Sequence, residues 1–227
     1  MTDSVLWAKR KLEYTFSDSS LLDQALTHRS ASKRNNERLE FLGDAMLNFV
    51  IARQLYLQRP DDAEGDLSRG RAALVNKSKL AEIGRKLGID AQLVLGAGEL
   101  RSGGAQRSSA LADAVEALIG AVLLDGGHDA ADALIQRLLG ESLAQLPPAD
   151  ALKDAKTRLQ EWLQGRGMDL PAYAVENVHG RDHNQVFIVS CQVTESGLRT
   201  EGKGPSRRRA EQDAAELMMN RLNGDSD

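Results

Sequence analysis

The chain has a single cysteine, Cys191, in 227 residues. That excludes a disulfide framework and a cysteine-based zinc site. No stretch approaches the roughly eighteen uninterrupted apolar residues that a membrane-spanning helix needs. The segment from Met1 to Tyr14 is mixed and charged, without the apolar run of a signal peptide. The expectation is therefore a cytoplasmic protein with no membrane partner. Aromatic residues make up only 4% of the chain, and Ala and Leu dominate its first two-thirds, a composition that leans helical. An excess of either charge is also missing. The formal net charge is −4, and from Asp150 to the end 11 Lys/Arg face 13 Asp/Glu. A polyanionic partner would have to be met by clustered cations, because total charge offers it nothing. Low-complexity segments and internal repeats are absent. His28, His128, His179 and His183 are not spaced as a metal pair, and no acidic helix carries Glu-x-x-His, which excludes a di-iron bundle.

What is present is an unusually acidic helical face. An apolar-periodic segment opens at Glu37, runs to Tyr56 and stops before Pro60, with Asn35 or Asn36 as its cap. At about 100° per residue, Glu37, Glu40, Asp44 and Asn48 fall within roughly 80° of arc. Like charges at this spacing cost an isolated helix about 0.2–0.5 kcal/mol per pair. A solvated face with Arg38 and Arg53 as counter-charges is one reading, and a bound cation is another.

The flanking elements place this helix in an all-α region. A short helix capped within Ser17–Ser20 runs to Leu26, followed by the polar loop Thr27–Ser30. Helices are expected over Asp66–Val75 and Ser78–Leu87, the second closed by Gly88. Residues 96–109, rich in Gly, Ser and Arg, read as a mobile surface loop. A helix from Ala110 to Leu124, capped by Ser108 or Ser109, stops at Gly126-Gly127, and another spans Ala130–Gln145. The first domain is thus 1–146 and Pro147-Pro148 opens a linker, 147–152. Beyond it, over 153–223, the grammar is helix (Ala155–Gln164), three alternating strands (Tyr173–Val178, Val186–Val193, Leu198–Gly202) and helix (Ser206–Leu222). That order makes a compact α+β domain, α-β-β-β-α.

Asp113 and Glu116 form a second acidic pair, on a helix whose other residues are nearly all apolar. Ionised acids on a buried helix are costly unless paired or bound to metal. A favourable helix N-terminus for Asp113 and an arginine partner for Glu116 would also account for them. Two packed helices each offering carboxylates would build an all-oxygen site for a hard cation of the Mg2+ or Mn2+ type. In the second domain, Arg207, Arg208 and Arg209 open the last helix. There they are either an anion site or a solvated helix start diluted by Glu211, Asp213 and Glu216.

The run Asn36-Glu-Arg-Leu-Glu-Phe-Leu-Gly-Asp44 resembles the signature of the ribonuclease III family. So does Leu111-Ala-Asp113-Ala-Val-Glu116-Ala-Leu-Ile-Gly120, and Thr27–Ser30 and Glu64–Ser68 match in the same order. The resemblance implies an all-α, Mg2+-dependent endonuclease domain acting as a homodimer on double-stranded RNA, with Mn2+ as a substitute ion. Carried over by position, Glu40, Asp44, Asp113 and Glu116 are the metal-site residues, with Asp44 and Glu116 the most critical for catalysis. Glu37 and Glu64 match accessory acids. Phe41 matches an aromatic of the dimer interface, although by its residue type alone it would be ordinary core. The implied reaction is in-line attack of an activated water on a backbone phosphorus, leaving 5′-phosphate and 3′-hydroxyl ends, with each subunit cutting one strand.

Lys156–Glu161, Leu170–Tyr173, Gly180–His183 and Gly202-x-Gly204 similarly resemble a double-stranded-RNA-binding domain, which reads A-form shape more than sequence. By that resemblance Thr157, Gln160, Glu161 and Gln164 face one minor groove and the loop at His183 enters the next. Arg207, Arg208 and Arg209 meet the phosphates between. Arginines stand where relatives often carry lysines, so the phosphate geometry differs from theirs. Two other classes compete with the nuclease: a double-stranded-RNA-binding protein whose first domain only dimerises, and a phosphohydrolase of small phosphoesters. The four matched acids speak against the first and the C-terminal domain against the second. Precursors of ribosomal RNA and other structured transcripts are the substrates the family suggests.

Overall fold

A computed structural model describes residues 3–181 and 185–224. The chain divides into two compact units, Met1–Ala149 and Asp150–Asp227.

The first unit is helical: α1 Asp3–Lys11, α2 Ser19–Ala25, α3 Glu37–Gln58, α4 Glu64–Val75, α5 Lys77–Leu87, α6 Ala97–Arg101 and α7 Ser108–Ala144. Its axis is α7, where Leu111, Ala112, Ala114, Val115, Leu118, Ile119 and Val122 are all buried. The helix breaks at Gly127, whose φ of 79° and ψ of −175° no helical residue adopts, so the two helices expected on either side of Gly126-Gly127 are both present. Helix α3 packs along the N-terminal half of α7 through Leu39, Met46, Leu47, Val50 and Ile51.

The two helices touch backbone to backbone. A Cβ on Gly43 would sit 1.8 Å from the carbonyl oxygen of Glu116, and one on Gly120 would sit 2.2 Å from that of Leu39. Only residues without a side chain allow this approach. Helix α5 also packs on α7, less closely: a Cβ on Gly84 would meet the Leu111 side chain at 3.1 Å and its carbonyl oxygen at 3.2 Å.

Several local expectations change. The charged N-terminus forms helix α1, anchored by a hydrogen bond from Trp7 Nε1 to the Leu87 carbonyl at 2.9 Å. The stretch 96–109 holds helix α6 and a 3-10 turn over Gly104–Gln106 instead of lacking structure, because Arg107 reaches back to Glu99 at 2.7 Å and to Ser102 Oγ at 3.0 Å. Helix α4 begins at Glu64 and α5 at Lys77, earlier than the periodicity indicated. For α5 the cause is Asn76, whose side chain accepts from Lys79 N at 3.0 Å. At the start of α3, Asn35 Oδ1 accepts from Glu37 N at 3.0 Å while Asn36 makes no side-chain cap bond.

The stretch 147–152 contains one helical turn, α8 Ala149–Leu152. The second unit follows as α9 Ala155–Gln164, β1 Ala172–His179, β2 Val186–Val193, β3 Leu198–Gly204 and α10 Arg207–Leu222. The strands form one antiparallel sheet in the order β1-β2-β3, in register Tyr173↔Cys191↔Thr200, with a bulge between Val175 and Asn177. Leu159, Leu163, Cys191, Val193, Ala214, Ala215 and Met218 form its core.

The glycine contact gives a direct stability test. Gly43→Ala forces α3 away from α7 and is expected to cost about 3 kcal/mol or more, at the upper end of overpacking penalties. A Cβ on Gly140, elsewhere in α7, meets nothing within 4 Å, so Gly140→Ala is expected to stabilise by about 0.5–1 kcal/mol. Urea denaturation followed by circular dichroism at the helix band measures both.

Candidate active site

The helix crossing determines where the acids lie. Glu40 and Asp44 flank Gly43 on α3, and Glu116 is the residue whose carbonyl Gly43 touches. One carboxylate oxygen each from Glu40, Asp113 and Glu116 lies within 4.8 Å of the others. They line a cleft of about 930 Å3 together with Glu37, Phe41, Asp44 and Lys77. The rim comes from the Thr27–Ser30 loop, which a parallel bridge between Thr27 and Val94 and a hydrogen bond from Gly96 N to Ser30 Oγ at 3.0 Å hold against the start of α6.

Burial is the main reason the Glu116 carboxyl is pushed up to about 7, with the neighbouring charges of Asp44, Glu40 and Asp113 adding to it. Glu40 is raised as well, first by burial and then by Asp113. Among the described residues Glu116 has no basic partner within ion-pair distance, so the arginine partner considered for it is not there. Asp113 Oδ1 is buried without a hydrogen bond, and its nearest cation, Lys77 Nζ, stands 3.7 Å away. A buried carboxylate oxygen lacking a donor, beside two further carboxylates, is the donor set that a hard divalent cation takes. The residues therefore fit such an ion.

Asp44 shares the cleft but not the three-oxygen cluster. Its Oδ1 accepts from Asn48 Nδ2 at 2.7 Å. Glu37 lies at the margin, 3.5 Å from Arg29. Arg53, considered as a counter-charge of this face, instead pairs with Asp132 at 2.9 Å. Glu64 is not brought to the cleft. Its Oε1 accepts from Ser68 Oγ at 2.7 Å, and it borders a groove with Phe49, Tyr56 and Leu67. Phe41 is not core. It is 78% exposed and continues along α3 into exposed Phe49, Tyr56 and Leu57. Sequence reasoning missed Lys77, Glu99 and Arg107 as cleft residues. The one available signal was Asn76 as an N-cap, which would have placed Lys77 on the first turn of a helix.

In the second unit Thr157 is half-buried and Gln160, Glu161 and Gln164 are exposed along α9. Glu161 is held by Lys153 at 2.6 Å. Arg207 is tied to Glu211 at 2.8 Å, whereas Arg208 and Arg209 are exposed and form no ion pair among the described residues. Of the acids expected to dilute them, Glu211 does so for Arg207, and Asp213 and Glu216 are engaged elsewhere. Glu211 also takes Lys156 at 2.6 Å, Asp213 accepts from Lys203 N at 2.8 Å, and Glu216 takes Arg158. His183 lies outside the described residues.

A half-buried cluster of carboxylates between two helices, followed along the chain by an α-β-β-β-α module with exposed arginines at a helix N-terminus, has the chemistry to take a divalent cation in one unit and a polyanion in the other. Comparison with known proteins carries this further. Residues 18–143 match the family described as Ribonuclease-III-like, and residues 155–222 match the double-stranded RNA binding motif. Ribonuclease 3 of Alkalilimnicola ehrlichii is 55% identical over 212 residues, 93% of each chain. That of Dechloromonas aromatica is 54% identical over 213 residues, 94% of this chain and 96% of its own. The nuclease domain of ribonuclease III from Campylobacter jejuni superposes with a TM-score of 0.61 at 41% identity, covering 64% of this chain and all of that one. The chain belongs to the ribonuclease III family. Its activity is that of a double-stranded-RNA endoribonuclease, and the family is metal-dependent.

The raised carboxyl has a measurable consequence. An acid whose folded pKa lies above its unfolded value loses stability as pH rises between the two, and the loss is complete above the higher one. With chelator present, and with the shift discounted for the carboxyl's partial exposure to water, Glu116→Gln is therefore expected to be more stable than the parent by about 1–2 kcal/mol at pH 8, and equal to it near pH 4. Saturating divalent cation is expected to reverse the order at pH 8 if it is held by this carboxyl. Thermal denaturation across this range, with and without the ion, reads both effects.

Proposed function

We propose that Glu40, Asp113 and Glu116 hold Mg2+ directly and that Asp44, oriented by Asn48, completes the site, so that the protein hydrolyses backbone phosphodiesters of double-stranded RNA to 5′-phosphate and 3′-hydroxyl ends. The observation that carries this reading is the group of three carboxylate oxygens within 4.8 Å, one residue of which has a buried oxygen without a donor. Oxygen-only ligation favours Mg2+, with Mn2+ as substitute. When bound, the ion supplies an activated water and a Lewis acid for the scissile phosphate. The carboxylates set its position and, by themselves, would repel a phosphodiester. Glu116 must give up its proton to serve as a ligand, and its raised carboxyl puts that step near neutral pH.

The exposed apolar stripe Phe41, Phe49, Tyr56 and Leu57 is the surface through which two copies pair. A related Campylobacter jejuni structure is described by its region of dimer formation. Glu64 borders that stripe, and so serves a carboxylate cluster only across the dimer, while Glu37 supports the cluster of its own chain. Two sites related by the dimer axis give one cut per strand. The working boundaries are 1–146 for the nuclease, 147–152 for the linker and 153–223 for the RNA-binding domain. In the last of these, Thr157, Gln160, Glu161 and Gln164 read a minor groove, the loop at His183 the next, and Arg207, Arg208 and Arg209 the phosphates between. The setting is the cytoplasm, and the substrates are ribosomal RNA precursors and other structured transcripts.

Glu116→Ala is expected to lower cleavage of a long RNA duplex at least about a thousandfold, several kcal/mol of lost charge stabilisation. Duplex binding in chelator should stay within a few-fold of the parent. Normal cleavage by this variant at ordinary Mg2+ would remove the metal assignment. For the basic cluster, Arg208→Ala with Arg209→Ala is expected to reduce the slope of log K against log salt by about 1–2. Arg207→Ala, already tied to Glu211, should change it less. Filter binding over a salt series makes the comparison.

A further inference from the structure

Lys77 is the first residue of α5, set there by the Asn76 cap, and α5 is locked to α7 where Gly84 meets Leu111. Its ammonium is the only cation among the described residues within ion-pair distance of the four acids Glu40, Asp44, Asp113 and Glu116. The contact is not an ordinary salt bridge. Lys153 and Lys156 close on their carboxylates at 2.6–2.8 Å. Lys77 stops 3.7 Å from Asp113 Oδ1, which still has no hydrogen-bond donor. The lysine side chain is 74% exposed against 24% for the aspartate, so the cation can swing into water while the carboxylate cannot leave the cleft. Its charge is felt beyond Asp113, because it opposes the repulsion on both Glu40 and Glu116.

We propose that Lys77 is a displaceable counter-ion of the carboxylate cluster: it offsets part of the acids' charge in the metal-free protein and yields Asp113 to the divalent cation. The inference rests on the reading of these acids as a metal site. Its chemistry is one of competition. A cation within a few ångströms stabilises the empty cluster and repels an incoming divalent ion, and since it is mobile it can withdraw when that ion arrives. Lys77 thus lowers metal affinity and limits the instability of the metal-free cleft. It is a positioning charge, not a ligand.

The test uses the full chain without RNA. Mn2+ is titrated calorimetrically into the parent and into Lys77→Met, Lys77→Gln and Lys77→Arg, and each is melted in chelator and in saturating Mn2+. The two neutral variants are expected to bind Mn2+ about three- to tenfold tighter at low salt, with the difference shrinking as salt rises. They should also melt lower than the parent in chelator and level with it in Mn2+. Lys77→Arg, which keeps the charge, should bind no tighter than the parent. If the parent binds Mn2+ and the neutral variants bind it equally or more weakly, the counter-ion role is overturned and the metal site stands. If the parent takes up no Mn2+, or Glu116→Ala takes it up as well as the parent, the metal site fails and the inference with it.

Discussion

Everything in the first unit depends on two helices meeting with no side chain between them. Gly43 against the Glu116 carbonyl, and Gly120 against that of Leu39, bring α3 and α7 to backbone contact. The acids sit one turn or less from these points, so the separation of the helix axes sets the spacing of the carboxylates. A methyl group at either glycine would widen the crossing and loosen the cluster before any acid had been altered. Around the contact lies a nearly continuous apolar surface of α7, which holds the crossing shut and also desolvates Glu116.

That arrangement works against stability. Several acids are gathered where water is partly excluded and where one cation, Lys77, stands near them without closing. A protein selected only for folding would place apolar residues or a closed ion pair there. Local conflict of this kind, within a unit otherwise consistent from propensity to packing, is what a site shaped for a ligand produces. The orphaned Asp113 oxygen is its clearest mark, since buried oxygens normally find a donor.

Much of this was legible in the residues. The periodicity of 37–56, the apolar surround of Asp113 and Glu116, and the change of grammar after Pro147 all follow from local pattern, and the structure has those elements. What was not legible depends on contacts distant in sequence. Helix α1 is short and charged, and is secured by Trp7 reaching a carbonyl 80 residues away. The 96–109 segment gains structure from Arg107 folding back on Glu99. Asp44 shares the helical face of Glu40, yet its Oδ1 is held by Asn48 and it lies outside the three-oxygen cluster. Glu64 and Phe41 were assigned by resemblance, and within one chain both lie toward a surface that the sequence could not distinguish from core or from cleft.

The near-neutral total charge now has a physical explanation. In each unit, pairing within the fold consumes some charges and leaves others open. In the second unit Glu211, Asp213 and Glu216 follow directly on three arginines and by counting would cancel them. Glu211 does hold Arg207, together with Lys156, but Asp213 is taken by a backbone amide and Glu216 by Arg158 of another element, which leaves Arg208 and Arg209 exposed and without an ion pair among the described residues. In the first unit Arg53 is committed to Asp132 and Arg107 to Glu99, and among the described residues only Lys77 stands within ion-pair distance of Glu40, Asp44, Asp113 and Glu116, without closing. Opposite signs are thus exposed in the two units: carboxylates at the helix crossing and arginines at the start of α10. Net charge cannot report either, because the pairing within the fold, not the composition, decides which charges remain available.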